Sequence, residues 1–143
     1  MLITHTTIGL AGEHLVASSI LQLGYGVAMC QQDKIDLVAF DNYGAFFTIQ
    51  VKSARIYKQR HHSRGYQFQL GSGSKTKRRP SPIDFDIMAF SALDQRAVFY
   101  QACCSINQTT KRFKPEFFEN RDIEADSWSK SLEIVRERRN GLV

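Results

Sequence analysis

Residues 6–24 place apolar side chains at helical spacing. Thr6 or Thr7 can cap the start and Gly24 can end it. Stepping about 100° per residue from Leu10, the side chains of Val16, Leu23, Ile20, Ala17 and Leu21 fill one arc. His14, Ser18, Ser19 and Gln22 fill most of the opposite arc, with Ala11 and Leu15 among them. Short alternating or continuous apolar runs then predict strands at residues 27–30, 35–40 and 45–52, with Asp41-Asn42-Tyr43-Gly44 as the turn between the last two. Residues 66–70 alternate aromatic and polar side chains and predict a fourth strand. Runs at 85–90 and 97–102, either side of Leu93-Asp94-Gln95, predict a late hairpin. Residues 107–124 show poor periodicity and are expected to be loop with short turns. From about Asp126 to Arg139, Trp128, Leu132 and Val135 form one stripe of a closing helix, free either to cover the sheet or to serve an interface.

The order of helix, strands, basic loop, strands and helix predicts a single α/β domain over residues 1–143, with a mixed central sheet flanked by helices. The length of 143 residues and the hydrophobic content of 43% suffice for a real core. No apolar run reaches the ~18 residues of a membrane span, so no membrane association is expected. The start Met1-Leu2-Ile3-Thr4 lacks the basic and long apolar regions of a signal peptide, so a cytoplasmic location is expected. Cys30, Cys103 and Cys104 show no CxxC spacing, which argues against a zinc knuckle or a thioredoxin-like site.

Charge changes the picture by its distribution. The net charge is +5. Between Asn42 and Ile83 there is no Asp or Glu, while Lys52, Arg55, Lys58, Arg60, Arg64, Lys75, Lys77, Arg78 and Arg79 all fall there. The rest of the chain is therefore net acidic. Such segregation suits a face that binds a polyanion; a solvated basic loop is the alternative. Gly71-Ser72-Gly73-Ser74 before the basic run, and Pro80 and Pro82 after it, predict a mobile loop over 71–82.

Four residues carry candidate chemistry. Glu13 falls in the middle of the apolar arc of the first helix, where an acid needs a partner or a cation; the alternatives are a helix-edge position or a core Lys. Side chains alternate along a strand, so Asp36 can share a face with Gln50 and Lys52 if Asp36 lies opposite Gln50 and Phe40 opposite Phe46. Ile35, Leu37 and Ala39 would then take the other face. Two acids and an amide oxygen are hard ligands suited to Mg²⁺, with Mn²⁺ as a substitute. Lys52 could orient or deprotonate a water, or stabilise developing charge. Asp33 is the alternative to Asp36, but it lies before the strand in Gln31-Gln32-Asp33 and is expected to be solvated. His61-His62 lack partners at ligand spacing and suit a phosphate contact better than a metal. Tyr66 and Phe68 fit either nucleic-acid contact or core.

A Glu on the first helix, an Asp after an aliphatic residue, and an apolar strand ending in (D/E)xK make up the signature that this chain resembles, that of PD-(D/E)XK nucleases. Gly12-Glu13 and Leu23-Gly24-Tyr25 resemble the opening of archaeal Holliday-junction resolvases and related small nucleases. Gln50-Val51-Lys52 is similar to the QxK variant of the branch that includes a group I intron homing endonuclease. Asp84-Phe85-Asp86-Ile87 and Val98-Phe99-Tyr100 are similar to its second half. The resemblance spans residues 9–102. It implies a restriction-endonuclease-like fold and a metal-dependent endonuclease acting on double-stranded DNA, with site-specific homing among the roles open to it. It implies Glu13, Asp36, Gln50 and Lys52 as catalytic residues, the first three as metal ligands. Arg55, Lys58, Arg60, Arg64, Lys75, Lys77, Arg78 and Arg79 are the expected DNA contacts. Cutting both strands implies a homodimer or homotetramer. A DNA-binding module that keeps the fold without cleavage is the alternative, with Gln50 in its favour.

Overall fold

The computed structural model describes residues 3–57, 64–73 and 75–141. Helix α1 (His5–Gln22) starts one residue earlier than expected, because Thr4 rather than Thr6 or Thr7 is the cap: its Oγ1 accepts from the Thr7 N–H at 3.1 Å. Leu23 ends the helix, and Gly24 follows with φ at +94°, a backbone that glycine adopts without strain. Strands β1 (Gly26–Met29), β2 (Leu37–Phe40) and β3 (Phe46–Ala54) form an antiparallel meander. The register is the expected one, with Phe40 opposite Phe46 and Leu37 opposite Ile49. Asp41 holds the turn, its Oδ1 accepting from Tyr43 N and Ala45 N. These bonds, with Arg136 nearby, hold its carboxyl below the usual range.

Strand β4 (Tyr66–Gln69) pairs with β7 (Thr110–Phe113) in a small second sheet. Strands β5 (Ile87–Ala92) and β6 (Ala97–Ala102) complete the main sheet in the order β1-β2-β3-β5-β6, with β3 and β5 parallel. Helix α2 (Asp122–Arg139) closes the chain. Residues 107–124 are thus more regular than expected. They contain β7, a 3₁₀ turn at Pro115–Glu119 and the first residues of α2. Four residues of alternation are too few to announce β7; its stability comes from the non-local ladder to β4.

Two apolar layers lie on opposite faces of the main sheet. On one, α1 and α2 cover Leu37, Ile49, Ile87 and Tyr100 with Val16, Ile20, Trp128 and Leu132. The Trp128, Leu132 and Val135 stripe therefore covers the sheet. On the other face, Tyr66, Phe68, Leu70 and Phe118 cover Met88 and Phe90. Tyr66 and Phe68 are core residues at 0% and 2% exposure. Strand β5 is buried along its whole length, as a central strand between two layers should be. The second layer stops short of the meander: Phe40 and Phe46, on that same face, are exposed. Gln50 and Lys52 sit on β3 between Phe46 and the covered end at Ala54, where the layer begins and leaves a cleft.

Candidate active site

Glu13 comes to the sheet through a close approach of α1. The buried side of this helix is Gly12, Val16, Ser19 and Ile20, while Leu10 and Leu21 are more than half exposed. The buried arc is thus turned away from the expected one, and Glu13 lies half-buried at its margin. Small side chains explain the difference. Gly12 packs directly on Ser53 of β3, so the helix is closest where its side chains are least apolar.

Asp36 stands one residue before β2. Its backbone N–H donates to Ile49 C=O at 2.9 Å, and its Oδ2 accepts from the Val51 N–H at 2.7 Å. The carboxylate therefore occupies the place of the next ladder partner. Simple alternation fails here. Ile35 packs in the second layer, opposite to Leu37 and Ala39, so those three do not share a face. Asp36 sits at the opening between β2 and β3, and Glu13 is a near neighbour whose titration it affects. Burial and the neighbouring Asp36 raise the Glu13 pKa.

Gln50 and Lys52 do share one face. They line a cleft of about 50 Å³ with Lys34, Leu70, Ser72, Pro80 and Asp84. Burial lowers the Lys52 pKa against the opposing pull of Asp36, and Lys34 and Lys77 lower it further. Asp36 is thus felt by both Glu13 and Lys52. The four residues comprise a carboxyl pair, Glu13 and Asp36, and a cleft pair, Gln50 and Lys52, with Asp36 acting on both Glu13 and Lys52. Among the described residues no three His, Cys, Asp or Glu side chains gather as a metal site. Two carboxyls this close are relieved by a shared proton or a cation. Hard oxygen donors from Glu13, Asp36 and the Gln50 amide fit a small divalent ion.

Lys34 and Asp84 belong to the cleft and were not singled out by the sequence. Lys34 had a signal in its place two residues before Asp36. Asp84 had none that separates it from Asp86, whose carboxylate accepts from Thr48 N at 2.8 Å and from Arg139 at 3.0 Å as a strut between β3, β5 and α2. Asp33 is exposed, as expected of a residue ahead of the strand.

The basic residues divide. Lys77, Arg78 and Arg79 line a groove of about 640 Å³ that shares Pro80 with the cleft. Lys75 is exposed on the same hairpin. The two ends of this segment, expected as a mobile loop, are tied to the fold. Ser72 and Arg78 pair in both directions, the N–H groups of Leu70 and Gly71 donate to Thr109 C=O, and Leu70 is buried. Arg55 is exposed just past β3. Arg64 lies in a separate depression with Lys114 and Glu116. Lys58, Arg60, His61 and His62 lie outside the described residues.

No helix among the described residues is long and apolar enough to cross a membrane. No protein-family profile matches the chain. No curated protein matches it either. Among solved structures it is similar to a bacterial homing endonuclease, I-Ssp6803I, with 16% identity and a TM-score of 0.69 over 95% of this chain and 98% of that one. The chain thus has the α/β fold of that endonuclease, a mixed five-stranded sheet flanked by helices, and at this identity the likeness is one of fold.

Proposed function

We propose that this protein is a metal-dependent endonuclease of the PD-(D/E)XK type, in its QxK branch, that hydrolyses phosphodiester bonds of double-stranded DNA, with homing as its role. The observation that carries this reading is Asp36, paired with Glu13 on one side and electrostatically joined to Lys52 on the other, beside a basic groove. Glu13, Asp36 and Gln50 would hold Mg²⁺ or Mn²⁺, which when bound would neutralise phosphate charge and acidify a water. Val51 N–H fixes the Asp36 carboxylate with a bond of 2.7 Å. Lys52 Nζ holds the attacking water and accepts its proton, a task suited to an amine whose charged form burial disfavours. The Lys75–Arg79 hairpin holds the DNA backbone. Plasmid nicking that requires Mg²⁺ or Mn²⁺ and stops in EDTA tests the proposal. DNA binding without cleavage under every metal would favour the second reading, a binding module, for which Gln50 in place of an acid is the specific observation.

Two further results are expected. Lys77→Gln removes a cation that destabilises the Lys52 ammonium, so the Lys52 pKa should rise. The rising limb of the pH–rate profile should then move to higher pH; a limb that stays put or moves down would exclude Lys52 as the base. Replacing Lys75, Lys77, Arg78 and Arg79 together by Gln should reduce the salt dependence of DNA binding by about 0.9 for each lost phosphate contact. All four side chains are exposed, so the thermal melt should change little. An unchanged salt slope would place the DNA elsewhere.

A further inference from the structure

The edge strand β6 is closed to another strand. The Val98 N–H donates to Glu124 Oε1 at 2.8 Å and the Tyr100 N–H to Ser127 Oγ at 3.0 Å, so α2 occupies the donors that a partner strand would need. Beside this edge runs an open groove of about 390 Å³, walled by Phe99, Phe117, Ile123 and Ile134. Ser127 and Ser131 are the small residues of α2 along it. Phe117 is 36% exposed. Asp126 and Lys130 stand on the rim, both exposed and neither in an ion pair among the described residues.

We propose that this groove is the contact face between two copies of the chain, which meet with their α2 helices antiparallel about a two-fold axis. The charges argue for a second copy and for that direction. In a two-fold contact, residue i meets residue j and j meets i. Asp126 and Lys130 lie about one helical turn apart, so an antiparallel copy sets each against its opposite, twice. A parallel copy sets like charges together. The apolar walls supply the buried centre and the ion pairs the rim, the usual division of a protein interface. Phe117 of each copy is the side chain available to enter the groove of the other. The purpose rests on the endonuclease reading: cutting both strands of a duplex takes two sites.

Sedimentation velocity of the full chain tests the contact without reference to cleavage. The wild type is expected to self-associate as a dimer or an even multiple. Lys130→Asp places Asp against Asp at two symmetry-related points and should weaken association at least tenfold, with an unchanged circular-dichroism melt. The reversed pair, Asp126→Lys with Lys130→Asp, should restore it. On plasmid DNA the single variant should give nicked circle in place of linear product, and the reversed pair should regain linear product. A monomeric wild type throughout the micromolar range, a single variant that still associates fully, or a reversed pair that stays apart would overturn the proposal. A wild type that associates as expected but cuts nothing would leave the interface standing and remove the endonuclease reading.

Discussion

Asp36→Asn is expected to lower DNA nicking at least a hundredfold, on the order of 2.7 kcal/mol in the barrier, while leaving folding and DNA affinity close to wild type. The geometry explains why the two effects separate. Asparagine keeps an oxygen where Asp36 Oδ2 accepts from the Val51 N–H, so the seam between β2 and β3 stays closed. What disappears is the charge. Asp36 raises the Glu13 pKa and opposes the burial that lowers that of Lys52, so one substitution disturbs both neighbours. Glu13 should ionise at lower pH in the variant, and Lys52 should lose its proton more easily. DNA affinity rests on Lys77, Arg78 and Arg79 in the adjoining groove and should persist. Gln50→Glu is the complementary change. It adds a carboxylate to the cleft that holds Lys52, so less Mg²⁺ should support the same rate. The measurement is a Mg²⁺ titration of plasmid nicking for the wild type and both variants. A wild-type rate from Asp36→Asn would remove the role assigned to that residue.

What the sequence showed of this site follows from how far each signal reaches. The pairing of β2 with β3 is local: a short turn and two apolar strands leave one register that buries Leu37, Ala39, Phe47 and Ile49 together, and that register is observed. Alternation stopped being a guide one residue outside the strand, where Asp36 trades a ladder bond for a side-chain bond and Ile35 turns to the other layer. The face of α1 was misplaced for a different reason. Counting apolar side chains weighs Leu10 and Leu21, which are exposed, over Gly12 and Ser19, which are buried. Close packing of a helix on a sheet rewards small residues as well as apolar ones, and a hydrophobic pattern does not record them. The anchored hairpin was hidden by its glycines and serines. Its hold on the fold lies in Leu70 and in bonds to Thr109, almost forty residues away. Lys34 and Asp84 reach the cleft by the same kind of non-local contact with β3.

Gly12 should be as sensitive as the carboxylates, though it has no side chain to contribute. A methyl group there would fall on Ser53 Oγ, 2.7 Å from Ser53 Cβ and 3.4 Å from Ser91 Oγ. Ser91 is fully buried, and the hydroxyl oxygens of both Ser53 and Ser91 are shut off from solvent without a hydrogen-bond partner, so the contact is with closed interior rather than open surface. Gly12→Ala therefore pushes α1 away from β3. Overpacking of this kind costs about 1–3 kcal/mol, and the better helix propensity of alanine returns about 1 kcal/mol of that. The net cost of about 0–2 kcal/mol corresponds to a fall in the melting temperature of up to about 8 °C for a domain of this size. The effect on nicking should be larger than the effect on stability. Glu13 is the next residue, and a shift of about 1 Å in a reacting group can cost about a hundredfold in rate. Restoring the space should restore the function: Gly12→Ala combined with Ser53→Gly removes both close contacts and is expected to recover most of the lost nicking. Thermal melts and nicking rates of the two single variants and the double variant decide the point. Additive losses in the double variant would show that the helix is not held by this contact. An unaltered melt and rate in Gly12→Ala would show that the approach of α1 does not set the position of Glu13.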